Sequence, residues 1–514
     1  GRSTSFTVLE YESPQWANIG SNSQNTGQSP YESNVNGEVA FSITIADDII
    51  GNLVIDSIGN IYVATKSVIY SFDSQGNLRW NYSSESLAGN FSGLSIGRDV
   101  IISPSAGDTL YFINQTDGYK YGSSNLYQAS SLFAPIIDSN ANLYIASEYQ
   151  YDSNGYKLVK VPYKSWEYGG EISLIDLGNV KPLTSPTVNE DIIVVLSEGR
   201  LRVLDAKSLQ TKFIKSGNYA SVKPIIGEGN VIYVVLGDSI VAYSSTGSQL
   251  WKTKVTGGVK GQLVLDSENG LYSINSKGNL FKYDSATGKE GLISNLEITS
   301  GVLIGNNGDL YFAVNETFYC INSHGNILWK SVLNSKIIGN PIMDANGTVY
   351  VTLDDNKVYA LTHGSLKDPN LIVLVENNML SISIDNQTTG DVSFTFDGVD
   401  YVNVFSKSIL SLSDGDWQVN VTYNGDARFV NSSKIVKFSV KTKLTGSNLV
   451  MAYTSGSYYK VRLTQNGVPL SGKTISVLLD GVYYNCTTDS KGWITLNIEL
   501  KPGFYDVECY YYTT

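Results

Sequence analysis

The sequence is poor in the residues that most often build metal centres and nucleophilic sites. Its 514 residues include only 2 histidines, 3 cysteines and 3 methionines. The cysteines, Cys320, Cys486 and Cys509, are too few and too scattered for a disulfide-rich scaffold or a tetrahedral zinc site. His324 and His363 each precede a glycine in a predicted turn. A Ser-His-Asp triad is therefore not predicted.

Clusters of positive charge and long hydrophobic runs are also lacking. The 36 Lys and Arg residues are scattered among 48 Asp and Glu residues, which gives a net charge of −12. We therefore expect no binding to nucleic acid or to anionic membranes. Apolar runs such as 192–196 and 371–375 are strand-sized. A spanning helix needs about 20 apolar residues, so no membrane insertion is expected.

What the sequence does contain is an internal repeat. A short apolar strand recurs eight times, as LVID, LSIG, PIID, PTVN, PIIG, LVLD, VLIG and PIMD. We call the last residue of each copy a marker residue; the eight are Asp56, Gly97, Asp138, Asn189, Gly227, Asp266, Gly305 and Asp344. Successive markers are 38 to 41 residues apart, except for one step of 51. A Tyr-containing strand and two further strands follow most markers.

About forty residues with four short strands is the period of a propeller blade. The sequence therefore predicts an all-β chain that begins with an eight-bladed β-propeller over residues 1–366. The last copy stops after residues 357–362 without its fourth strand, and residues 37–45 align with that missing strand. We expect the strand of residues 37–45 to complete the last blade, which would leave no sheet edge exposed.

A second repeated element reads FDSQGNLRW at residues 72–80, and it returns at residues 243–251 and 321–329. Its Asp, Asn or Ser and its Gly fit a tight turn, and its aromatic residue is predicted to dock one blade onto the next. The predicted docking residues are Trp80, Trp251, Trp329 and Phe41. Tyr121 and Phe213 stand at the same position, and Leu174 and Leu292 replace the aromatic residue.

These elements, together with the opening residues 16–29, resemble the pyrroloquinoline-quinone (PQQ)-like repeat family of eight-bladed propellers. Quinoprotein dehydrogenases of that kind need a calcium ion held by protein oxygens, a catalytic Asp and, in many members, two adjacent cysteines. No two cysteines of this chain are adjacent. Asp-rich turns such as 56–59 and 344–347 fit hairpin turns better than calcium loops. We therefore expect no PQQ-dependent activity, no cofactor and no metal.

Two shorter units follow the propeller, over residues 367–441 and 442–514. Residues 412–419 match residues 500–507 position by position, and both copies are rich in strands and turns. This pattern predicts two β-sandwiches, and its Gly-x-Trp/Tyr-x-Val element resembles the tyrosine corner of immunoglobulin-like domains. Cys486 and Cys509 both fall in the last sandwich, where a disulfide and two free thiols are the alternatives.

The last unit contains five short segments, residues 442–449, 456–461, 466–473, 488–492 and 500–503. Together these segments resemble the immunoglobulin-like repeats of adhesin-like surface proteins of methanogenic archaea. The resemblance implies an extracellular protein at the cell surface or attached to the cell wall, with further repeats downstream. Residues 1–3 look like a cloning remnant. Nine Asn-x-Ser/Thr sequons fit an extracellular location.

One part of the third copy lies outside the repeat, at residues 148–156 and 161–170. The aromatic residues there are the predicted ligand contacts: Tyr149, Tyr151, Tyr156, Tyr163, Trp166 and Tyr168. Aromatic side chains on a loop above a rigid scaffold suit stacking on sugars or gripping a protein. The alternative is a loop folded over its own hydrophobic cluster.

The leading hypothesis is a non-catalytic adhesin-like protein with a propeller head on an immunoglobulin-like stalk. We expect a monomer that binds a cell-surface glycan or protein of a partner cell. One alternative is an extracellular enzyme, quinoprotein or glycan-active, that uses the propeller funnel. Another is a scaffold for envelope assembly. Fold alone does not decide among them.

Overall fold

The computed structural model describes residues 13–512, apart from residues 19, 34, 84–90, 106–108, 125–132, 150–154, 164, 166–170, 411 and 454. The chain forms two compact units, Gly1–Ser365 and Leu366–Thr514. The described residues form mainly β-strands, with a 3-10 helix at Glu228–Asn230, which confirms the predicted all-β class. In this part of the chain, no helix has the length and apolar character needed to span a membrane.

The described residues of the first unit contain eight four-stranded antiparallel sheets. The first strand of the chain is β1 (Glu38–Thr44). Sheet 1 contains β2 (Ile49–Ile55), β3 (Ile61–Thr65), β4 (Val68–Phe72) and β5 (Leu78–Ser83). Sheet 2 contains β6 (Ser95–Ile96), β7 (Val100–Ser105), β8 (Thr109–Asn114) and β9 (Lys120–Ser124). Sheet 3 contains β10 (Ile136–Ile137), β11 (Leu143–Tyr149), β12 (Gly155–Val161) and β13 (Ser173–Gly178).

The next four sheets repeat the same order. Sheet 4 contains β14 (Thr187–Val188), β15 (Ile192–Ser197), β16 (Arg200–Asp205) and β17 (Thr211–Ser216). Sheet 5 contains β18 (Ile225–Ile226), β19 (Ile232–Leu236), β20 (Ser239–Tyr243) and β21 (Gln249–Lys254). Sheet 6 contains β22 (Val259–Leu265), β23 (Leu271–Asn275), β24 (Leu280–Tyr283) and β25 (Glu290–Ser294). Sheet 7 contains β26 (Leu303–Ile304), β27 (Leu310–Val314), β28 (Thr317–Ile321) and β29 (Ile327–Val332).

Sheet 8 joins the two ends of the first unit. It contains β30 (Ile337–Met343), β31 (Val349–Leu353), β32 (Lys357–Thr362) and, as its fourth strand, β1. Phe41 of β1 lies opposite Ala360 of β32, as Trp80 lies opposite Ser71 in sheet 1. The edge of β32 is therefore covered by the N-terminal strand rather than exposed.

The sheets pack face to face in a closed ring. Val54 and Tyr62 of sheet 1 share a hydrophobic cluster with Ile101 of sheet 2, and comparable clusters join each later pair of sheets. The largest cluster joins sheets 7 and 8 and includes Ile55 and Ile61 of sheet 1, which closes the ring. A strand covered on both faces has no solvent side, which explains why every residue of β3 is buried.

The second unit contains two pairs of antiparallel sheets, each pair enclosing one core. In the first pair, one sheet contains β33 (Ile372–Glu376), β34 (Met379–Ser383) and β37 (Ser406–Ser408); the other contains β35 (Val392–Phe396), β36 (Val399–Val402), β38 (Gly415–Tyr423) and β39 (Ser432–Val440). In the second pair, one sheet contains β40 (Thr442–Gly446), β41 (Tyr458–Gln465), β42 (Val468–Pro469) and β45 (Trp493–Asn497); the other contains β43 (Thr474–Leu479), β44 (Val482–Thr487) and β46 (Val507–Tyr510). Each pair has its own hydrophobic cluster.

The two copies of the Gly-x-Trp/Tyr-x-Val element adopt the same corner. Trp417 Nε1 donates a hydrogen bond to the carbonyl of Ser413 at 3.0 Å, four residues upstream. Tyr505 Oη donates to the carbonyl of Lys501 at 2.9 Å, also four residues upstream. An aromatic side chain that bonds back to the preceding backbone is the defining feature of a tyrosine corner.

The alternative of a disulfide between Cys486 and Cys509 does not match this arrangement. Both thiols are free. Cys486 of β44 and Cys509 of β46 pair with opposite edges of β43, so a whole strand separates them. Their backbones are about 10 Å apart at a strand spacing of 4.7–4.9 Å, which is more than a disulfide bridges. Both thiols instead pack against the core of the last sandwich.

Candidate functional site

The repeated Gly-x-x-x-Trp element forms joints between neighbouring sheets. Trp251 of sheet 5 donates a hydrogen bond from Nε1 to the carbonyl of Ser285 at 2.7 Å, in the next sheet's turn. Its ring lies against Gly288, where a Cβ atom would come within 2.5 Å of the ring. Gly288 has φ +69°, a conformation that side chains disfavour. The close contact between Trp251 and Gly288 therefore leaves no room for a side chain at position 288.

The other predicted docking residues have comparable positions. Trp80 contacts Gly118 in the same way, Trp329 contacts Gly37, and Phe41 of β1 contacts Gly76 of sheet 1. In three sheets the residue at the docking position is exposed to solvent instead of buried. These residues are Tyr121, Leu174 and Leu292. The repeated aromatic element thus belongs to the packing of the ring.

The carboxylates of the marker Asp residues accept hydrogen bonds from their own turns and from a nearby tyrosine. Asp56 Oδ1 accepts the backbone N–H groups of Ile58 and Asn60 at 3.1 and 2.8 Å, and its Oδ2 accepts the hydroxyl of Tyr62 at 2.8 Å. The same hydroxyl bond joins Asp138 to Tyr144, Asp266 to Tyr272 and Asp344 to Tyr350 at 2.9–3.1 Å. Within the described residues, no group of three or more His, Cys, Asp and Glu side chains could hold a metal ion.

The ring has two axial ends with different turns. We call the end that carries the turns between first and second strands, such as residues 56–60, end A. The opposite end carries the turns between second and third strands, such as residues 66–67, and we call it end B. Successive strands are antiparallel, so these two sets of turns lie at opposite ends.

The described residues of 15–29, which we call the N-terminal segment, lie at the axis at end A. The segment forms backbone hydrogen bonds with six first strands, always at the residue just before the marker. These pairs are Trp16 with Ile55, Ala17 with Ile96, Ser23 with Val188, Gln24 with Ile226, Thr26 with Leu265 and Ser29 with Ile304, at 2.8–3.2 Å. Gln15 Oε1 also accepts the N–H of Ala345 in sheet 8 at 2.7 Å. The chain itself therefore fills the centre of end A.

A small cavity lies beneath the N-terminal segment. It is lined by Trp16, Asn25, Gln262 and Asn340, with apolar residues between them. The cavity volume is about 20 Å³. This volume holds one or two water-sized molecules and is too small for a fused-ring quinone. We therefore derive no quinone chemistry from this cavity.

The backbone of Lys223 contacts Asn25, one of the residues that line this cavity. Its carbonyl accepts a hydrogen bond from Asn25 Nδ2 at 3.2 Å. The side chain is only 3% exposed, and its Nζ has no hydrogen-bond partner in the described part of the chain. Burial lowers the pKa of Lys223 to about 7, because a charged ammonium is costly away from water.

Two of the predicted aromatic contacts, Tyr156 and Tyr163, lie far apart in the structure. Tyr156 lies near the start of β12 at end B, whereas Tyr163 follows the end of β12 at end A. Seven residues of strand separate them by about 20 Å. Tyr163 is half-buried, and the guanidinium of Arg98 lies 5.4 Å from its ring centre. Tyr156 and Tyr163 therefore do not belong to one surface patch.

The remaining predicted contacts can be placed only in part. Tyr149 is the last residue of β11, so its backbone lies at end B. Tyr151, Trp166 and Tyr168 lie outside the described residues.

The hairpin of β11 and β12 is longer than its equivalents at end B. Second strands of sheets 1, 5, 6, 7 and 8 end nine residues after the marker, as at Thr65, whereas β11 ends eleven residues after Asp138. The two added pairs are Glu148 with Tyr156 and Tyr149 with Gly155. Burial raises the pKa of Tyr156, and the carboxylates of Glu148 and Glu198 raise it further. An aromatic ring and two carboxylates thus meet at end B.

Comparisons with known proteins agree with this architecture. Residues 215–292 and 276–368 match the family model described as outer membrane protein assembly factor BamB, which covers less than half of the chain. Quinohemoprotein alcohol dehydrogenase from Comamonas testosteroni has a similar structure, with 11% identity, a TM-score of 0.54, and coverage of 71% of this chain and 83% of that one. The first unit is a β-propeller. No curated protein matches the sequence.

Two further solved structures resemble the propeller. A europium-containing methanol dehydrogenase has 11% identity and a TM-score of 0.50, with coverage of 66% of this chain and 89% of that one. BamB from Moraxella catarrhalis has 12% identity and a TM-score of 0.49, with coverage of 63% and 99%. At such identities the likeness to the two dehydrogenases shows the fold and no shared activity.

Sequence reasoning missed two features of the axis. The path of the N-terminal segment leaves no side-chain pattern, because its bonds to the propeller are mainly backbone bonds. Lys223 could have been found from the repeat itself. It stands four residues before its marker, where the other seven copies have Asn52, Gly93, Ala134, Ser185, Gln262, Gly301 and Asn340. A charged residue at that inner position is the exception.

Proposed function

We propose that this chain is the binding part of an extracellular, non-catalytic, adhesin-like protein. Its propeller binds a glycan or protein of a partner cell through end B. The observation that carries the proposal is the extended hairpin of β11 and β12, the part of sheet 3 that departs from the repeat at that end. End A is the weaker candidate, since the N-terminal segment covers its centre.

The chemistry of the hairpin supports a polar ligand with apolar faces. Tyr156 is half-buried beside Glu148 and Glu198, which belong to neighbouring sheets. A tyrosine ring supplies a flat apolar surface, and carboxylates accept hydrogen bonds from hydroxyl groups. This combination suits a sugar. It also suits a loop of a partner protein that carries hydroxyl or amide groups.

The second unit supports a surface location. Its two consecutive sandwiches share an aromatic corner at Trp417 and Tyr505, so they are copies of one design. The sequence of the second copy resembles the immunoglobulin-like repeats of adhesin-like archaeal proteins. We therefore propose that both sandwiches are immunoglobulin-like repeats of a cell-surface or wall-attached protein, with the propeller as its ligand-binding unit.

A second candidate function is that of a scaffold in envelope assembly. It is favoured by the match of residues 215–368 to a family described as an assembly factor. In that case the propeller binds protein partners only, and glycans are not ligands. A funnel enzyme remains the third reading, and it would require a substrate site away from the small axial cavity.

Excision of the hairpin tests the proposal. In the variant, residues 148–156 are replaced by Asn-Gly, a turn of the same two-residue length as the one that joins Ser197 to Arg200 in sheet 4. Binding is measured on a glycan array and by pull-down from solubilised cell-envelope extract. We expect at least a tenfold loss of binding, since the aromatic and one carboxylate are removed. Tyr156→Ala should weaken binding in the same direction without changing the backbone.

The matched control is Glu316→Ala, which removes a carboxylate from the corresponding turn of sheet 7. This variant should bind like the wild type. Undiminished binding after hairpin excision would refute the proposed site. Capture of proteins alone, with no glycan bound by the wild type, would favour the scaffold function.

A further inference from the structure

One sheet of the last sandwich has an outer face that is rich in tyrosine. In this sheet β43 lies between β44 and β46. Ile475, Val477 and Leu479 of β43 are buried in the core of the sandwich. Side chains alternate along a strand, so Ser476 and Leu478 of β43 belong to the outer face. Residues directly opposite them on β44 and β46 share that face.

Three tyrosines and one carboxylate lie on this outer face. Tyr483 of β44 and Glu508 of β46 are both opposite Leu478. Tyr510 follows Glu508 by two residues and therefore points to the same side. The ring of Tyr512 is parallel to that of Tyr510 within 2°, with the ring centres 6.2 Å apart. We call Tyr483, Glu508, Tyr510 and Tyr512 the tyrosine face.

The tyrosine face offers apolar rings and a hydrogen-bond acceptor to the solvent. Tyr483 is 64% exposed and Tyr512 is 73% exposed, while Tyr510 is half-buried. The hydroxyl of Tyr510 donates a hydrogen bond to the carboxylate of Glu508. A carboxylate has about four acceptor positions, so Glu508 can accept further hydrogen bonds. Several large rings exposed side by side are typical of a binding surface.

The first sandwich shows that the fold does not require these aromatic residues. At the four equivalent positions it has Asp400, Asn420, Thr422 and Asn424, all of them polar. The strand register supports this equivalence, because Thr422 lies opposite Ser393 as Tyr510 lies opposite Ser476. The tyrosines are therefore an addition to the second copy of a shared design.

We propose that the tyrosine face of the last sandwich binds a carbohydrate chain. Its rings stack on the apolar faces of sugar units, and Glu508 accepts hydrogen bonds from sugar hydroxyls. Tyr483 and Tyr510 lie on the two strands that flank β43, about 10 Å apart across the sheet, so the face spans more than one sugar unit. A protein partner is less favoured, because charged residues are depleted at the centres of protein interfaces.

Affinity electrophoresis of the full chain tests the proposal. Native gels contain a soluble β-glucan, mannan, galactan or dextran, and the loss of mobility gives the affinity. We expect retardation of the wild type in at least one of these gels. The double substitution Tyr483→Ala and Tyr510→Ala should weaken this affinity at least about tenfold, because two stacking surfaces are lost. Phenylalanine at both positions should retain most of the affinity.

The matched control is Tyr458→Ala. Tyr458 is 55% exposed and belongs to β41 in the other sheet of the same sandwich, so its removal should leave the retardation unchanged. Excision of residues 148–156 should also leave it unchanged, since the tyrosine face does not depend on the site proposed at end B. The two sites can therefore fail separately.

Three results would overturn the proposal. The first is unchanged mobility of the wild type in every polysaccharide gel. The second is retardation that survives the double alanine substitution, and its loss on excision of residues 148–156 would then assign it to end B. The third is capture of envelope proteins that requires Tyr483 and Tyr510 without any retardation by polysaccharide, which would assign the face to a protein partner.

Discussion

Replacing Trp251 by alanine is expected to lower the free energy of unfolding of the propeller by about 3–5 kcal/mol. The side chain is 6% exposed, packs against Tyr233 at a ring distance of 5.9 Å, and bonds to the carbonyl of Ser285. Its removal leaves a cavity between sheets 5 and 6, which Gly288 cannot fill. Calorimetry and urea unfolding of the full chain measure the effect.

The control is Leu292→Ala, at the same repeat position in sheet 6. Leu292 is 57% exposed, so its truncation should change stability by less than about 0.5 kcal/mol. Gly288→Ala should resemble Trp251→Ala, because the new Cβ would meet the indole. If Trp251→Ala and Leu292→Ala lower the free energy of unfolding by the same amount, the contact between Trp251 and Gly288 does not stabilise the packing of sheets 5 and 6.

Opening the ring at its closure is expected to have a still larger effect. The double substitution Phe41→Asp and Ile43→Asp places two charges on the buried side of β1. Ile43 lies in the largest hydrophobic cluster, and Phe41 contacts Gly76 of sheet 1. We expect a loss of more than about 5 kcal/mol. The exposed edge of β32 should also promote aggregation, which light scattering coupled to size-exclusion chromatography would detect.

Val39→Asp is the matched control on the same strand. Val39 is 37% exposed, so a charge there remains in water and should leave the melting temperature nearly unchanged. A monomeric, stable Phe41→Asp and Ile43→Asp variant would show that β1 does not close the ring.

The sequence predicts the repeated parts of the fold well, because each sheet obeys the same local rules. A marker Asp followed by a Gly three or four residues later specifies the turn. A Tyr six residues after the Asp bonds its carboxylate, as Tyr350 does with Asp344. The apolar second strands, which are buried on both faces, and the missing fourth strand of the last copy can also be recognised in the sequence. The place of β1 beside β32 follows from them.

Features that depend on three-dimensional position are harder to predict. The tyrosines of sheet 3 are close in sequence, yet the straight run of β12 carries Tyr156 and Tyr163 to opposite ends of the propeller. Cys486 and Cys509 fall in the same predicted sandwich, but β43 comes between their two strands. In both cases the sequence pattern predicts the strands correctly. It does not show at which end of the propeller, or on which side of a neighbouring strand, a residue lies.

The proposed adhesin function depends on ligand binding at end B of the propeller. Hydrogen–deuterium exchange, with and without the best glycan from the array, tests it most directly. We predict slower exchange in β11, in β12 and in the turn of Glu198 and Gly199, with no change in residues 56–60 or 344–348 of end A. Protection of the end A turns without protection of the hairpin would contradict the claim.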